Sequence, residues 1–537
     1  MSEDIPSHDV IIIGAGLSGI YSVVSMRRLG LRARVLERGG NVGGVWYWNR
    51  YPGARFDSES YTYGFSFSQE VLDEWEWKEH YSAQPETIKY INFVVDKLGV
   101  RDDFQFNTEV QSAHYQEASR TWLVTDTKGN TYTSRFLINA LGPLTTPQLP
   151  NIPGVKDYKG TAYHTSRWPH TPITFEGKRV GVIGTGATGI QTIQEVAKTA
   201  DELFVFQRTP NWTAPMRNSE ISKQEMKEIQ NNYPQIFHRC RQSPMGFQYY
   251  PDKRKALEVP KEVREQFWEE LYVQRGLVKW LGNFHDIFID QEANDLISAW
   301  MADKVRQRVN DPVLAEKLIP TDHGFGTRRV PLESNYYELY NQSNVKLVDL
   351  RDTPIEQITK TGIKTAGVDK EYPLDVLIYA TGFDAITGSY EQIDYRGLNG
   401  KKLADKWKDG PKTYLGLTVE GFPNMFNVLG PHQGSGNIPR SIEYAVQWVT
   451  RCIKYCQDHG YTYFCPDKAG ETLWTDHVLK CTEGLLSTKV NSWMTGYNSN
   501  KLTKSERTVI RYSGSLVEFR RRCDEVADKG YPHIDFA

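Results

Sequence analysis

Two glycine-rich segments carry the chemistry that is legible first. Gly14-Ala15-Gly16-Leu17-Ser18-Gly19 follows the apolar run Asp9–Ile13, and Gly184-Thr185-Gly186-Ala187-Thr188-Gly189 follows Arg179–Ile183. A G-x-G-x-x-G turn between a strand and a helix suits dinucleotide binding. Its first glycine permits the tight turn, its second lets backbone approach a pyrophosphate, and its third allows close helix–strand packing. The helix N-terminus then presents unpaired N–H groups to the phosphates. The two segments differ where a ribose would lie. Glu37 stands 23 residues after Gly14, and an acid there accepts hydrogen bonds from a free 2′-hydroxyl, so FAD or NAD fits. The matching stretch of the second segment is Gln207-Arg208-Thr209, with Arg208 24 residues after Gly184. Arg208 favours a 2′-phosphate through charge-assisted hydrogen bonds, and Thr209 adds a hydroxyl. The reading is FAD in the first fold and NADPH in the second, hence hydride transfer from NADPH to flavin. The electrons then need an acceptor. No cysteine pair has C-x-x-C spacing and no cluster suits iron–sulfur or haem attachment. Molecular oxygen remains by elimination.

Those motifs require strand–turn–helix–strand units to hold them. The first unit runs over 9–37, its helix reaching about Leu29 and stopping at Gly30; the second runs over 179–208, its helix reaching about Ala200. The expected fold class is α/β, with two Rossmann-like dinucleotide-binding domains and a helical insertion. Leu141 to Gly154 is rich in Pro and Gly and reads as a linker. Residues 215–320 have helical spacing, residues 345–382 return to strands, and the last 150 or so mix both. The expected division is 1–147 and 379–537 for the FAD-binding domain, 148–214 and 324–378 for the NADP-binding domain, and 215–323 for the insertion.

Composition narrows the function classes. The 537 residues are 39% hydrophobic and 24% charged, with a net charge of −2. No basic run points to nucleic acid or an anionic membrane. No stretch nears the ~20 apolar residues of a transmembrane helix. The start, MSEDIPSHDV, lacks a positively charged region and leads into a strand rather than a signal peptide. The six cysteines are scattered, which suits a reducing compartment, and a cytoplasmic location is expected. Cys452 and Cys456, four apart in a helical stretch, read as one buried face rather than a metal pair, and no metal site is expected.

A longer signature stands between the two folds, Tyr158-Lys159-Gly160-Thr161-Ala162-Tyr163-His164-Thr165-Ser166-Arg167-Trp168-Pro169. It resembles the F-x-G-x-x-x-H-x-x-x-W-P fingerprint of the Baeyer–Villiger monooxygenases, with Tyr158 in place of Phe. A second family signature runs from Gly43-Gly44-Val45-Trp46-Tyr47-Trp48 to Asp57, and Ala380-Thr381-Gly382 matches as well. The resemblance spans nearly the whole chain and is closest to the phenylacetone, steroid and cyclic-ketone branch. It implies an NADPH- and oxygen-dependent FAD enzyme that converts a ketone to an ester or lactone through a C4a-peroxyflavin. Related N- and S-oxygenating flavin monooxygenases form the alternative; they lack the Trp-Pro ending that Trp168-Pro169 supplies.

The resemblance also assigns residues. Gly324-Phe325-Gly326-Thr327-Arg328-Arg329 matches the stretch that carries the catalytic arginine, which is Arg329, and Asp57 matches its partner acid. A permanently charged guanidinium suits stabilisation of negative oxygen. Arg328 falls where relatives hold the NADP 2′-phosphate with Lys. Trp493 matches a Trp that closes over NADP, with a buried core Trp as the alternative. Flavin contacts are implied for Gly14, Gly16, Ser18, Gly19, Glu37, Gly44, Val45 to Trp48, Asp57, Tyr63 and Val110. NADP contacts are implied for Gly184 to Gly189, Arg208, Thr209, Arg328 and Arg329. His164 is expected to link the domains rather than do chemistry. Gly430–Asn437 matches a substrate-pocket loop, and its His432 reads as an exposed loop histidine rather than an acid–base group. The partners implied are a small ketone and oxygen, acting on a monomer or weak dimer.

Overall fold

The computed structural model of the protein describes residues 7–367, 370–498 and 506–537; Met1 to Pro6, part of the N-terminal segment read above, lies outside the described residues. Two sheets organise the chain. The larger draws β1 (Ser7–Ile13), β2 (Ala33–Leu36), β3 (Phe104–Gln105), β4 (Val110–Gln116), β5 (Thr121–Asp126) and β6 (Thr131–Asn139) from the N-terminal part. β7 (Thr161–His164), β8 (Arg179–Ile183), β9 (Glu202–Gln207), β10 (Val345–Asp349) and β11 (Val376–Tyr379) form the smaller sheet, in the order β10-β9-β8-β11-β7. All its neighbouring strands are parallel. The larger sheet is completed from far down the chain by β12 (Asp394–Arg396) and β13 (Met425–Asn427), in the order β12-β4-β5-β6-β1-β2-β3 with β13 beside β6.

Burial explains these strands. β1 carries Val10, Ile11, Ile12 and Ile13, all at most 5% exposed, as befits a parallel strand covered on both faces. On one face Val10 and Ile12 join Ile20, Val23 and Val24 of α1 (Leu17–Arg28), with Val446, Val449 and Ile453 of a long C-terminal helix, Ile438–His459. Ile11 and Ile13 face a second cluster around Trp122 and Val124. Each such side chain contributes about 1.5–3 kcal/mol on burial. α1 is buried from Leu17 to Met26, enclosed by the sheet and the long helix.

The second glycine turn leads into α2 (Ala187–Val196). That helix ends sooner than its sequence suggests, residues 197–199 continuing as turns. Four longer helices fill the stretch after β9, namely α3 (Lys223–Gln242), α4 (Lys261–Val273), α5 (Gln291–Arg306) and α6 (Pro312–Leu318). The Leu141–Gly154 segment holds a short strand, Thr146–Pro147, antiparallel to Phe383–Asp384. The two passages of chain between the sheets are thereby tied together. Cys452 and Cys456 are buried, and no cluster of metal-ligating side chains occurs among the described residues.

Candidate active site

Both glycine turns adopt the same strained geometry. Gly14 has φ +106° and Gly184 φ +107°, where L side chains are rare. A Cβ on Gly19 would lie 1.9 Å from Gly14 O, and one on Gly189 2.1 Å from Gly184 O, so the third glycine is required for the helix to start against the turn. Neither helix has a side-chain cap or an acid in its first turn. Elsewhere α3, α5, α6 and the Ile438–His459 helix are capped by Ser222, Asp290, Asp311 and Asn437. Two helices whose N–H groups stay open are built for phosphate.

A cavity, partly open to solvent, extends from the first turn. Gly14, Gly16, Ser18, Glu37 and Gly44 line it, as do Val45, Trp46, Trp48, Tyr63 and Val110. Glu37 is 6% exposed, and its oxygens accept from Ala15 N at 2.8 Å and Gly39 N at 2.7 Å, leaving lone pairs for ribose hydroxyls. Trp46 Nε1 donates to Tyr63 OH at 2.9 Å, and burial pushes the Tyr63 phenol up to about 12. Three expected contacts stand behind this wall. Gly19 abuts Gly14 O, Tyr47 OH accepts from Gly40 N at 3.1 Å, and Asp57 faces Arg329. Sequence reasoning missed Gly142, Pro143, Thr145, Ser389, Leu429 and Ile438, which also line the cavity. The Gly-Pro pair just beyond β6 was the available signal, because ligands of parallel sheets sit at strand C-termini.

Beside the cavity, Arg329 Nη2 donates to Asp57 Oδ2 at 2.6 Å. The Asp57 side chain is 4% exposed and that of Arg329 45%. Burial raises the Asp57 carboxyl pKa, and the Arg329 guanidinium pulls it back. Asp57 Oδ1 is buried without a hydrogen-bond partner. The insertion fixes the turn that carries Arg329. Asn294 of α5 donates to Phe325 O at 2.9 Å, Ser298 Oγ accepts from Phe325 N at 2.9 Å, and Trp280 Nε1 donates to Gly326 O at 3.2 Å. Arg328 turns aside, donating to Asp322 Oδ2 at 2.9 Å. Arg208 is exposed beyond the end of β9. Thr185 Oγ1 donates to Thr209 O at 2.9 Å, joining the second glycine turn to the strand end. Asn211 Nδ2 reaches Arg329 O at 3.4 Å, so this loop abuts the turn that carries Arg329.

The fingerprint segment lies between the sheets. Its β7 edges the smaller sheet, while the Arg167 guanidinium stands 4.7 Å from the Trp48 ring centre and donates to Thr145 O at 3.3 Å. His164 holds Ser166 Oγ at 2.8 Å, and burial pulls its pKa down to about 4. The bond is local, two residues along the chain, and His164 Nε2 is buried without a hydrogen-bond partner. Trp493 is 38% exposed, outside the core and outside the cavity lining. His432 corrects the expectation of an exposed loop residue. It is 2% exposed, hydrogen-bonded through Nε2 to Val509 O at 3.1 Å, and burial pulls its pKa down to about 4. A chain segment some 77 residues further on covers it.

Comparison with known proteins places this geometry. Residues 11–242 match the pyridine nucleotide-disulphide oxidoreductase family model. The chain is 46% identical to 2-oxo-Delta(3)-4,5,5-trimethylcyclopentenylacetyl-CoA monooxygenase of Pseudomonas putida, covering 99% of both chains. It is 40% identical to cyclohexanone 1,2-monooxygenase of Acinetobacter sp, covering 98% of this chain and 96% of that protein. The chain belongs to the Baeyer–Villiger monooxygenases. Another relative, phenazine N-monooxygenase PhzNO1 of Lysobacter antibioticus, is 39% identical over 99% of this chain and 97% of that protein. The crystal structure of OTEMO complexed with FAD and NADP superposes with a TM-score of 0.95 at 45% identity, covering 99% of this chain and all of that one. Like the rest of this family, the chain is an FAD- and NADPH-dependent monooxygenase, and its two open helix N-termini and the cavity between Glu37 and Tyr63 fit those cofactors.

Proposed function

We propose that Arg329 is the catalytic cation and Asp57 its positioning partner in the insertion of one oxygen atom beside a ketone carbonyl. The observation that carries this is the 2.6 Å pair itself, a buried carboxylate holding a half-exposed guanidinium. Gly14, Gly16, Ser18, Glu37, Val45, Trp46 and Tyr63 would hold the flavin, and Gly184 to Gly189, Arg208 and Thr209 the NADPH. Bound FAD supplies acceptance of hydride from NADPH and activation of oxygen. The protein contributes the electrostatics. Arg329 stays charged at any working pH and stabilises negative charge that develops on oxygen as the carbonyl is attacked. Asp57 fixes the planar fork, and the clamp from Asn294, Ser298 and Trp280 keeps it from swinging. The unpaired Asp57 Oδ1 is an acceptor awaiting a donor from a bound cofactor. The family likeness supports dividing the chain into FAD-binding parts 1–147 and 379–537, NADP-binding parts 148–214 and 324–378, and an insertion at 215–323. Six free thiols support a reducing location such as the cytoplasm.

The test is conversion of cyclohexanone to its lactone, followed by gas chromatography alongside NADPH consumption. Arg329→Ala is expected to retain yellow, bound flavin and to lose lactone formation by about 10²-fold or more. Undiminished lactone formation by that variant refutes the assignment. The phenazine-oxidising relative keeps an N- or S-oxygenation reading open. An amine and a sulfide run beside the ketone decide between them, because only carbonyl addition generates the alkoxide that Arg329 is placed to stabilise.

A further inference from the structure

The helix that follows the second glycine turn carries two buried amides that reach beyond the helix itself. Gln191 and Gln194 of α2 are both buried. Gln191 Oε1 accepts from the Tyr51 hydroxyl at 2.8 Å, and Gln191 Nε2 donates to Arg55 O at 3.0 Å. Gln194 Oε1 accepts from Ser334 N at 2.6 Å, while its Nε2 donates to Ile190 O at 2.9 Å within the helix. The turn between Tyr51 and Arg55 lies against the helix backbone. Gly53 has φ +79°, and a Cβ there would stand 2.6 Å from Gln191 O. The twin helix shows that the fold does not ask for these amides. Counted from the first glycine of each turn, residues 191 and 194 correspond to Tyr21 and Val24 of α1, which pack into the apolar core. A buried amide is costly unless its donors and acceptors are met, so glutamine at both positions marks a specific contact rather than filling.

Those contacts converge on one pair of residues. Arg55 stands two residues before Asp57, and Ser334 five residues after Arg329. Residues three apart share a helix face. One face of α2 thus holds both the segment that delivers Asp57 and the segment that delivers Arg329, the partners of the 2.6 Å pair. The start of the same helix is the open N-terminus at the second glycine turn. A helix rises about 1.5 Å per residue and moves as a unit over so short a length, so a shift of its first turn reaches both glutamines. The Asp57 segment is anchored on its other side, through Gln84 N donating to Ala54 O at 2.8 Å and Arg55 Nη1 donating to Tyr81 O at 3.1 Å. Gln191 therefore joins the helix of the smaller sheet to a segment that is fixed elsewhere.

We propose that Gln191 and Gln194 are positioning residues that set the Arg329–Asp57 pair in register with the helix of the second glycine turn, so that seating of the nicotinamide dinucleotide at that turn and placement of the pair are coupled. This rests on the reading of Arg329 and Asp57 above and deepens it. Neither glutamine lines the flavin cavity. With the ties cut, NADPH is still consumed but fewer of its electrons reach product. The remainder pass to oxygen, so that NADPH, a proton and O2 give NADP+ and hydrogen peroxide.

The test uses the FAD-loaded enzyme and near-isosteric substitutions that delete the amides, Gln191→Met and Gln194→Met. Lactone formed from cyclohexanone, NADPH consumed and peroxide released are measured together, and the NADPH Kd is titrated. Each variant is expected to form about threefold less lactone per NADPH, or lower, with a Kd within about threefold of wild type. Gln194→Glu keeps an acceptor for Ser334 N and is expected to restore the yield, which a residue serving packing alone would not do. Hydrogen–deuterium exchange gives a readout independent of turnover. NADP+ is expected to slow exchange over 51–57 and 329–334 in the wild type. Gln191→Met loses at least half of that slowing over 51–57 and Gln194→Met over 329–334, while slowing over 184–189 persists. Tyr51→Phe cuts the Gln191 tie from the other side at the loss of one hydroxyl, and it decides if a Met variant fails to fold. An undiminished lactone yield per NADPH, or NADP+-dependent slowing that survives the substitutions, overturns the proposal. So does a Kd that rises as far as the yield falls, which places the glutamines in nucleotide binding itself. If the wild type oxidises no ketone, the reaction assignment fails and exchange alone decides: loss of the slowing upholds the coupling, and its survival overturns it.

Discussion

Glu59 lies two residues beyond Asp57 and offers a quantitative test of how the site's floor is built. It is 5% exposed, and its carboxyl is met by the Thr62 hydroxyl at 3.5 Å. Burial raises its pKa from 4.5 to about 7, opposed only by neutral donors, a backbone N–H and the Thr62 and Tyr81 hydroxyls. The folded protein thus keeps a proton that the unfolded chain releases above pH 4.5. Between pH 4.5 and 7 the folded state binds more protons, so stability falls as pH rises. Above pH 7 both states are ionised and the loss is complete. At ~1.4 kcal/mol per pH unit the interval amounts to about 3.5 kcal/mol. Glu59→Gln removes that slope. The expected result is a thermal midpoint equal to wild type near pH 4.5 and higher by about 7 °C at pH 8, taking roughly 2 °C per kcal/mol for a large domain. Differential scanning fluorimetry of the FAD-loaded proteins across pH 4.5–8.5 measures it. A gap that does not change with pH, or one that closes as pH rises, refutes the account of a proton held by burial.

The twin glycine turns predict separable losses. Gly19→Ala, whose Cβ would meet Gly14 O at 1.9 Å, yields protein that purifies with little FAD; Gly189→Ala, at 2.1 Å from Gly184 O, keeps FAD but raises the NADPH Kd about tenfold or more, both read by absorbance and titration. Arg208→Glu weakens NADPH binding by about tenfold or more while NADH binding changes little, because only the 2′-phosphate senses that charge. Equal losses for both nucleotides place the phosphate elsewhere.

The parts legible from sequence were those where chemistry forces residue type locally. A Cβ on the third helical residue would fall 1.9 Å from a carbonyl oxygen in the first turn and 2.1 Å in the second, so only glycine fits and both turns announce themselves. The Arg329–Asp57 pair spans 272 residues and was reached only through resemblance to a family. The clamp around Phe325 escaped notice because Asn294 and Ser298 are ordinary helix residues until the fold brings that helix to the turn. The burial of His432 escaped for the same reason, because the segment that covers it lies some 77 residues further along the chain.

The larger sheet has a history as well as a shape. Asn139 at the end of β6 bonds Asn427 of β13 across 288 residues, and every strand of the smaller sheet lies between them. At about 5–20 residues per second, a ribosome takes roughly 15–60 s to make that interval. The smaller sheet is therefore complete while β6 still has an open edge, and the flavin cavity, which needs Leu429 and Ile438, closes last. Flavin capture is then a late event of biosynthesis, and the waiting edge of β6 is the stretch a chaperone would guard.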